Sequence, residues 1–574
     1  MTRLWQALQG DRLLRSTRVW LVAIALGSGL VMGLAPAPLN LFPLAWVALA
    51  PLWLLLFKGE LVTTQSMAQT RSKDSGFRLP FGVWLSLAWG IGYHGLALSW
   101  ITGLHPLTWL GVPWLASVAI VLFCWGFITL WGAVLVAIWS LLMLWIERLT
   151  HRTQAYSLWA ALRRVLLGTT IWCSLEWLWS LGPLDWTVLA YTQSPGNLAL
   201  LHIGQVSGTS GVTAAIVAVN GLLAEGWLCY QPSVSTFREA NYSNQQLTVN
   251  QTKLKTVTLL AVAVILLLAV HGLGYALYRQ PLASGNVAPL RVGIIQGNIP
   301  TRIKLGSEGI QRATAGYTSG YEALAAQGVE AVLTPEGALP FLWSEPNKLR
   351  SPLYQAVLAK GIVLWLGTFT AEKDGIARSL LTIAPNGSTL SRYNKIKLVP
   401  LGEYIPFQHL LGGIISILSP IAENGSPGMF DQQFATPFGR AIASICYDSA
   451  FPEVFRTQAA AGGQFILTAS NLDPYSEVLM AQHQAQDIMR AIETDRWAVR
   501  ATNTGYSSIV TPHGNVEWRS QPHQYQTHAA AIFRRQTKTL YVRWGNWLPP
   551  VLLVLGAIAI GVSFYCPPNL LVHR

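Results

Sequence analysis

Apolar runs long enough to cross a hydrocarbon layer of about 30 Å recur along this chain at 20–36, 41–57, 81–101, 109–146, 165–181, 212–230, 257–277 and 547–565. In lipid such a segment satisfies its backbone polar groups only as a helix, so these runs force a helical membrane bundle on the fold. Composition agrees: 52% of the 574 residues are hydrophobic, 25 are Trp and only 11% are charged, against about 25% charged in soluble domains. The apolar excess is uneven, because 290–540 reads as ordinary globular sequence. The expected division is a transmembrane helical domain over 1–284 with about seven spans, an α/β domain over 285–540, and a C-terminal transmembrane helix with a short tail over 541–574. The divide falls in the Gly- and Pro-containing stretch Ser284 to Pro289.

Run 109–146 is too long for one upright helix and reads either as one span plus a membrane-surface segment or as two spans. Basic residues arbitrate, since short cytoplasmic loops are rich in Lys and Arg. The clusters are Arg3, Arg12, Arg15 and Arg18; Lys58, Arg71, Lys73 and Arg78; Arg148, Arg152, Arg163 and Arg164; and Arg238, Lys253 and Lys255. All fall on one side only if 109–146 crosses once, which puts the α/β domain outside the cytoplasm and the tail inside. The first run is a poor signal peptide: Ala35-Pro36-Ala37-Pro38 is a weak cleavage site and a second run follows at once. Membrane topology also accounts for the net charge of +13 better than nucleic acid does, because no aromatic-basic groove pattern is present. Glu176 in an apolar helix is either functional or a hydrogen-bonded interfacial carboxyl, while His94 and His105 read as packing residues.

From Leu290 the pattern changes to short β-rich runs and amphipathic helices. Strands are expected at 290–297, 329–334, 361–369, 376–384, 388–393, 440–446, 464–469 and 503–511, and helices near 309–326, 346–359, 452–461 and 477–500. Pro385-Asn386-Gly387 and Pro512-His513-Gly514 mark hairpin turns. This is a layered α/β domain with one or two mixed sheets. Three reactive side chains sit just past strand ends, where α/β folds assemble sites: Glu336 after Ala331–Pro335, Lys395 after Arg392-Tyr393-Asn394, and Cys446 after Ala441–Ile445. Cys attacks as a thiolate, a carboxylate can take its proton, and an ammonium can lower the thiol pKa and hold an oxyanion. Four of the five cysteines (Cys124, Cys173, Cys229, Cys566) lie in or beside apolar runs. Cys446 is therefore alone in its domain, with no disulfide partner there.

These residues lie in motifs: Val292-Gly293-Ile294-Ile295-Gln296-Gly297-Asn298-Ile299-Pro300; Pro335-Glu336 with Pro340; YNKIKLVPLGEYIP at 393–406; and Ile445-Cys446-Tyr447. The set resembles the nitrilase superfamily of Glu-Lys-Cys carbon–nitrogen hydrolases and, within it, the apolipoprotein N-acyltransferases; the 393–406 motif is the most specific. The resemblance covers the whole chain. It implies an α-β-β-α sandwich on the extracytoplasmic side between the last two of eight spans, with Glu336 as general base, Lys395 as the oxyanion-stabilising cation and Cys446 as the acyl-carrying nucleophile. Glu403 matches a further family carboxylate near the site, and Tyr447 follows the nucleophile as in the family. The chain departs from the family at several positions. Asp448 stands where better-known members carry Glu, and Leu305 where a functional Trp is often found, which leaves access to the groove to neighbouring aromatics such as Trp343 or Tyr404. Asn471-Leu472-Asp473-Pro474-Tyr475 replaces an Asn-Asp with a Trp-Phe pair, and Trp179 replaces an Arg partner of Glu176.

The implied reaction takes an acyl group from a phospholipid and gives it to the amine of a diacylglyceryl apolipoprotein. It is carried out by a monomer in the bacterial plasma (inner) membrane, with the catalytic domain periplasmic. A thioester at a membrane surface meets a lipid-anchored amine at high local concentration, which favours transfer over hydrolysis. No cofactor, nucleotide or metal is expected: His483 and His513 lack zinc-site spacing and no Gly-rich phosphate loop is present. The alternatives are a membrane-anchored amidase or lipid hydrolase with the same triad, and a non-catalytic membrane scaffold.

Overall fold

The computed structural model describes residues 2–57, 80–150, 157–230, 242–282, 288–373, 375–400, 402–404, 425–473 and 475–565, excepting the side chains of 2–16, 242–249 and 565. Lys58, Arg71, Lys73, Arg78, Arg152, Arg238, Ser284, Leu401, Ile405, Pro406, Pro474 and Cys566 lie outside the described residues, as do the side chains of Arg3, Arg12 and Arg15.

Each apolar run is helical. The helices are Thr2–Gly33, a 3-10 turn Phe42–Trp46 leading to a helix over 50–57, Phe81–Ala97, Trp114–Thr150, Leu158–Ser180, Thr209–Tyr230, Tyr242–Tyr278 and Leu548–Tyr565. Of these, Trp114–Thr150, Thr209–Tyr230 and Asn250–Tyr278 are long and apolar enough to cross a membrane singly. The run at 109–146, which the basic clusters fitted only as a single crossing, is one unbroken helix of 37 residues after a 3-10 turn at Thr108–Leu110. At 1.5 Å per residue it is about 55 Å long and outreaches the hydrocarbon layer.

Two of the basic residues assigned to a loop are not loop charges. Arg163 and Arg164 lie inside the Leu158–Ser180 helix and are buried in a network with Glu147 (3.0 and 2.9 Å) and Glu225 (2.6 Å from Arg164). The Trp53 indole donates to Glu225 at 2.9 Å, and Arg163 reaches Ser563 of the last helix at 2.8 Å. They therefore tie helices together and say little about sidedness. Glu176 accepts from Trp172 Nε1 (3.0 Å), the Leu189 amide (2.9 Å) and Thr213 Oγ1 (2.8 Å), so its carboxylate is satisfied without an Arg, and Trp179 packs on Trp131. His94 bonds Thr187 and His105 bonds Ser117, both packing roles.

Among the described residues the α/β part holds twelve strands: β1 Leu290–Gln296, β2 Ala331–Leu333, β3 Val363–Glu372, β4 Gly375–Ile383, β5 Thr389–Asn394, β6 Phe434–Thr436, β7 Gly439–Ile445, β8 Ile466–Ser470, β9 Ala498–Thr502, β10 Ser508–Val510, β11 Val516–Arg519 and β12 Gln526–Ile532. They form two mixed sheets, in the orders β12-β1-β2-β3-β4-β5 and β11-β10-β9-β8-β7-β6. Alternation along the strands sorts the two faces. Val292, Ile294, Ala331, Leu333 and Trp365 enter the core between the sheets, while Ile295, Val332 and Leu364 pack on the helices Ser307–Ala326 and Pro352–Lys360. Burial on both faces is why these strands read as continuous apolar runs. Helices Pro452–Ala460 and Glu477–Thr494 cover the second sheet, which completes an α-β-β-α sandwich.

Three expectations are corrected. The helix expected over 477–500 ends at Thr494, because Asp495 takes a left-handed φ of 55° and the chain turns into β9. The helix over 346–359 is two, Glu345–Arg350 and Pro352–Lys360, split at Pro352, which cannot continue a helix from within. Strands β6, β9, β11 and β12 go beyond those expected.

The Glu477–Thr494 helix is buried along nearly its whole length because its outer face lies on the apolar helices. Gln482 donates to the Ala97 carbonyl (2.9 Å) and accepts from the Trp186 indole (2.8 Å). Ser194 donates to the Ala485 carbonyl (2.7 Å), and Arg490 to the Tyr191 hydroxyl (3.0 Å).

Candidate active site

Glu336 follows β2 on a turn pressed against β3. Thr334 bridges to β3 through its amide (3.0 Å to the Trp365 carbonyl) and through its hydroxyl, which accepts from the Gly367 amide at 3.0 Å. A Cβ on Gly367 would sit 1.9 Å from the Pro335 carbonyl oxygen, so the glycine is what lets the Glu336 turn approach. Lys395 follows β5, with its amide held by the Arg378 carbonyl of β4 (2.9 Å) and its side chain wholly buried. Cys446 directly follows β7 and starts the 3-10 helix Cys446–Ala450 with a φ of 50°, a left-handed conformation costing a non-glycine residue about 1–3 kcal/mol.

The expected triad converges. The Lys395 ammonium donates to Glu336 Oε1 at 3.0 Å and to Glu403 Oε1 at 2.7 Å. The second oxygen of Glu336 accepts from the Asn471 amide (3.1 Å), and that of Glu403 from the Val399 amide (2.9 Å). The Cys446 thiol points at the Asn471 carbonyl, 3.7 Å away. Burial, then the charge of Glu336, pushes this thiol up to about 12, against a smaller opposing pull from Lys395. At rest this thiol is therefore neutral, and acting as a nucleophile would require a base. Burial works against the Lys395 ammonium, but Glu336 and Glu403 outweigh it and hold the lysine above its ordinary range. Glu403 is held below the usual carboxylate range by Lys395 and Arg378 despite its burial. A fixed cation, a carboxylate and a thiol in a dry site can together run acyl transfer through a tetrahedral intermediate.

Asp448 and Tyr447 lie beside this cluster with different partners. Asp448 is fully buried and accepts from the amides of Ile445 (3.0 Å), Ile396 (3.2 Å) and Lys397 (2.7 Å) and from the Tyr393 hydroxyl (3.0 Å). It fastens the Cys446 turn to the Lys395 segment, so the shorter carboxylate still reaches every anchor. Burial moves it up to about 6. Tyr447 points toward the apolar helices: its hydroxyl donates to the Pro183 carbonyl (2.9 Å) and its ring stacks on Trp186.

Sequence reasoning missed several neighbours. Arg378 Nε lies 3.0 Å from Glu403, and Lys304 Nζ donates to the Glu336 carbonyl at 3.0 Å. Burial brings Lys304 down to about 8. His483 donates to the Cys446 carbonyl. The available signal for Arg378 was a cation interrupting an apolar strand, and for His483 a polar residue on an inward helix face. Leu305 is 74% exposed and Trp343 packs on Tyr354, and the rings that continue from the Cys446 turn are Tyr447 and Trp186, then Trp100 and Tyr475. Among the described residues no group of three or more His, Cys, Asp or Glu converges as metal ligands.

Residues 28–222 match the family model described as the apolipoprotein N-acyltransferase N-terminal domain, and residues 291–538 match that for carbon-nitrogen hydrolase. Curated relatives named apolipoprotein N-acyltransferase include one from a Nostoc species, 50% identical over 93% of this chain and 98% of its own length. Another, from a Synechocystis species, is 48% identical over 94% of this chain and all of its own. A third, from Gloeobacter violaceus, is 34% identical over 94% of each. The likeness runs through the apolar helices as well as the hydrolase-like half, and the chain belongs to the apolipoprotein N-acyltransferases, an enzyme family of the nitrilase superfamily.

Proposed function

We propose that the protein completes lipoprotein maturation by moving an acyl group from a phospholipid, through a thioester on Cys446, to the amine of a diacylglyceryl-cysteine apolipoprotein. Glu336 takes the thiol proton, and the thiolate adds to the ester carbonyl. The oxyanion is held by Lys395, whose charge the second carboxylate, Glu403, preserves. Collapse breaks the ester C–O bond, and protonated Glu336 returns its proton to the departing lysophospholipid. The acceptor amine then adds to the thioester and loses a proton to Glu336. The Cys446 sulfur leaves and is reprotonated.

The observation that carries this reading is the bridge from Lys395 to Glu336 and Glu403, at 3.0 and 2.7 Å, beside a buried thiol. The seating of Tyr447 on the Pro183 carbonyl supports a lipid donor, because it sets the nucleophile's turn against the apolar helices. The same reading places the enzyme in the bacterial plasma membrane as a monomer, with the α/β domain on the periplasmic face. The test is to incubate purified protein with labelled phospholipid, with and without a diacylated lipopeptide. Label should accumulate on Cys446 alone and pass to the lipopeptide when it is added. Discharge to water at the same rate in both arms would favour a lipid hydrolase, and absence of a thioester would overturn the reading.

A further inference from the structure

The Cys446 backbone is held by a buried polar chain that takes no part in the steps above. Its carbonyl accepts from His483 Nε2 at 3.0 Å. The other ring nitrogen, Nδ1, faces Arg500 NH1 at 2.8 Å. A guanidinium only donates, so Nδ1 must be the acceptor and the proton must sit on Nε2, where it serves the Cys446 carbonyl. Arg500 is itself paired with Asp487 and donates from Nε to the Tyr506 carbonyl at 2.9 Å. His483, Arg500 and Asp487 are each no more than 2% exposed. The chain crosses from the Glu477–Thr494 helix to β9, and the Trp186 ring from the apolar part lies edge-on to the imidazole.

A peptide group is planar and trans, so fixing the Cys446 carbonyl also fixes the direction of the Tyr447 N–H on the far side of the same plane. That N–H lies in the first turn of the 3-10 helix, where no acceptor within the helix exists. We infer that His483, oriented by Arg500 and Asp487, is a positioning residue that fixes the Cys446–Tyr447 peptide plane, so that the Tyr447 N–H joins Lys395 in holding the oxyanion. The inference rests on the thioester reading given above.

The test compares His483→Leu with His483→Gln in the full-length protein. The amide of Gln can donate at the position of Nε2 and accept from Arg500, while Leu does neither. Two rates are read for each variant: thioester formation from labelled phospholipid across a range of donor concentrations, and alkylation of Cys446 by iodoacetamide, which forms no oxyanion. Removing an oxyanion donor costs about 10²–10³ in rate, and misaiming one costs less. His483→Leu should slow saturating thioester formation by about 10–100-fold, leave half-saturation unchanged and keep the alkylation rate within about threefold. His483→Gln should recover most of the loss. Equal loss in both variants, a parallel fall in alkylation, or normal acylation by the Leu variant would overturn the inference. If the unsubstituted protein forms no thioester, the functional reading itself fails, and this inference with it.

Discussion

Replacing Glu336 by Gln keeps the shape of the side chain and removes its basicity. Both Glu336 oxygens face donors, Lys395 Nζ at 3.0 Å and the Asn471 amide at 3.1 Å. The amide can accept from one, and its NH2 must then confront the other. An unsatisfied buried group of this kind costs about 1–3 kcal/mol, which a fold stable by about 5–15 kcal/mol survives, and Lys395 keeps Glu403 at 2.7 Å. Loss of a general base slows acylation by about 10²–10⁴-fold, or roughly 2.7–5.4 kcal/mol of barrier at about 1.36 kcal/mol per decade. Alkylation should change in the opposite direction. Burial and then the charge of Glu336 raise the Cys446 thiol to about 12, so removing that charge lowers the pKa and increases the thiolate fraction at pH 8. The assay is thioester formation from labelled phospholipid beside iodoacetamide alkylation of Cys446, resolved by peptide mass spectrometry. In the unsubstituted protein alkylation should climb about tenfold per pH unit through pH 9 without a plateau. In Glu336→Gln, acylation should fall while alkylation at pH 8 rises. Thioester formation at the normal rate would remove Glu336 as base, and a parallel fall in both rates would mean the site had collapsed.

Gly367→Ala would place a Cβ 1.9 Å from the Pro335 carbonyl and push the Glu336 turn away. Because misplacement by about 1 Å can cost about 10²-fold, turnover should fall at least that far, and the thermal midpoint should fall too because the clash is with buried backbone; retained turnover would show that the turn adapts. Arg164→Ala takes the guanidinium from Glu225, leaving that buried charge only the Trp53 indole among the bonds described above, and removes one of the two arginines on Glu147. A loss of about 3–5 kcal/mol should appear as a lower unfolding temperature in detergent, and an unchanged midpoint would mean that the network adds nothing. For sidedness, Glu517→Cys on the exposed part of β11 should react with an impermeant maleimide on intact spheroplasts, while Ser72→Cys, outside the described residues, should not. Gly514 is no substitute probe, because a Cβ there meets Ile492 at 2.7 Å and Leu198 at 3.0 Å. Reversed labelling would invert the proposed topology.

The candidate site was legible because its reactive side chains follow strand ends. Glu336 lies three residues past β2 and Cys446 directly past β7, both buried apolar runs, while Lys395 directly follows β5, which is largely exposed and was legible from the hairpin turn before it. What stayed hidden depends on partners distant in sequence. Strand β12, Gln526–Ile532, contains Ala529-Ala530-Ala531, and it is a strand because it pairs antiparallel with β1 from Leu290↔Ile532 to Gln296↔Gln526. The start of strand β9 fell inside the end of an apparent helix, since the left-handed turn at Asp495 has no Gly to announce it. Arg164 looked like a loop charge because nothing local reveals Glu225, some sixty residues on, as its counterweight, and Arg163 because Glu147 sits on the preceding helix. His483 became significant only once Arg500 fixed its tautomer.

The Glu477–Thr494 helix, packed on a sheet and on apolar helices at once, bears on how the protein is made. A catalytic fragment begun near residue 288 would present to water the face that carries Gln482, Ala485, Met489 and Arg490, whose contacts lie on Ala97, Ser194, Gly204 and Tyr191. Such a fragment should be prone to aggregation. During biogenesis the apolar helices must be inserted and assembled before this helix can find its final surroundings. The order of elements in the chain, with the helices that form the seat synthesised first, suits that sequence of events.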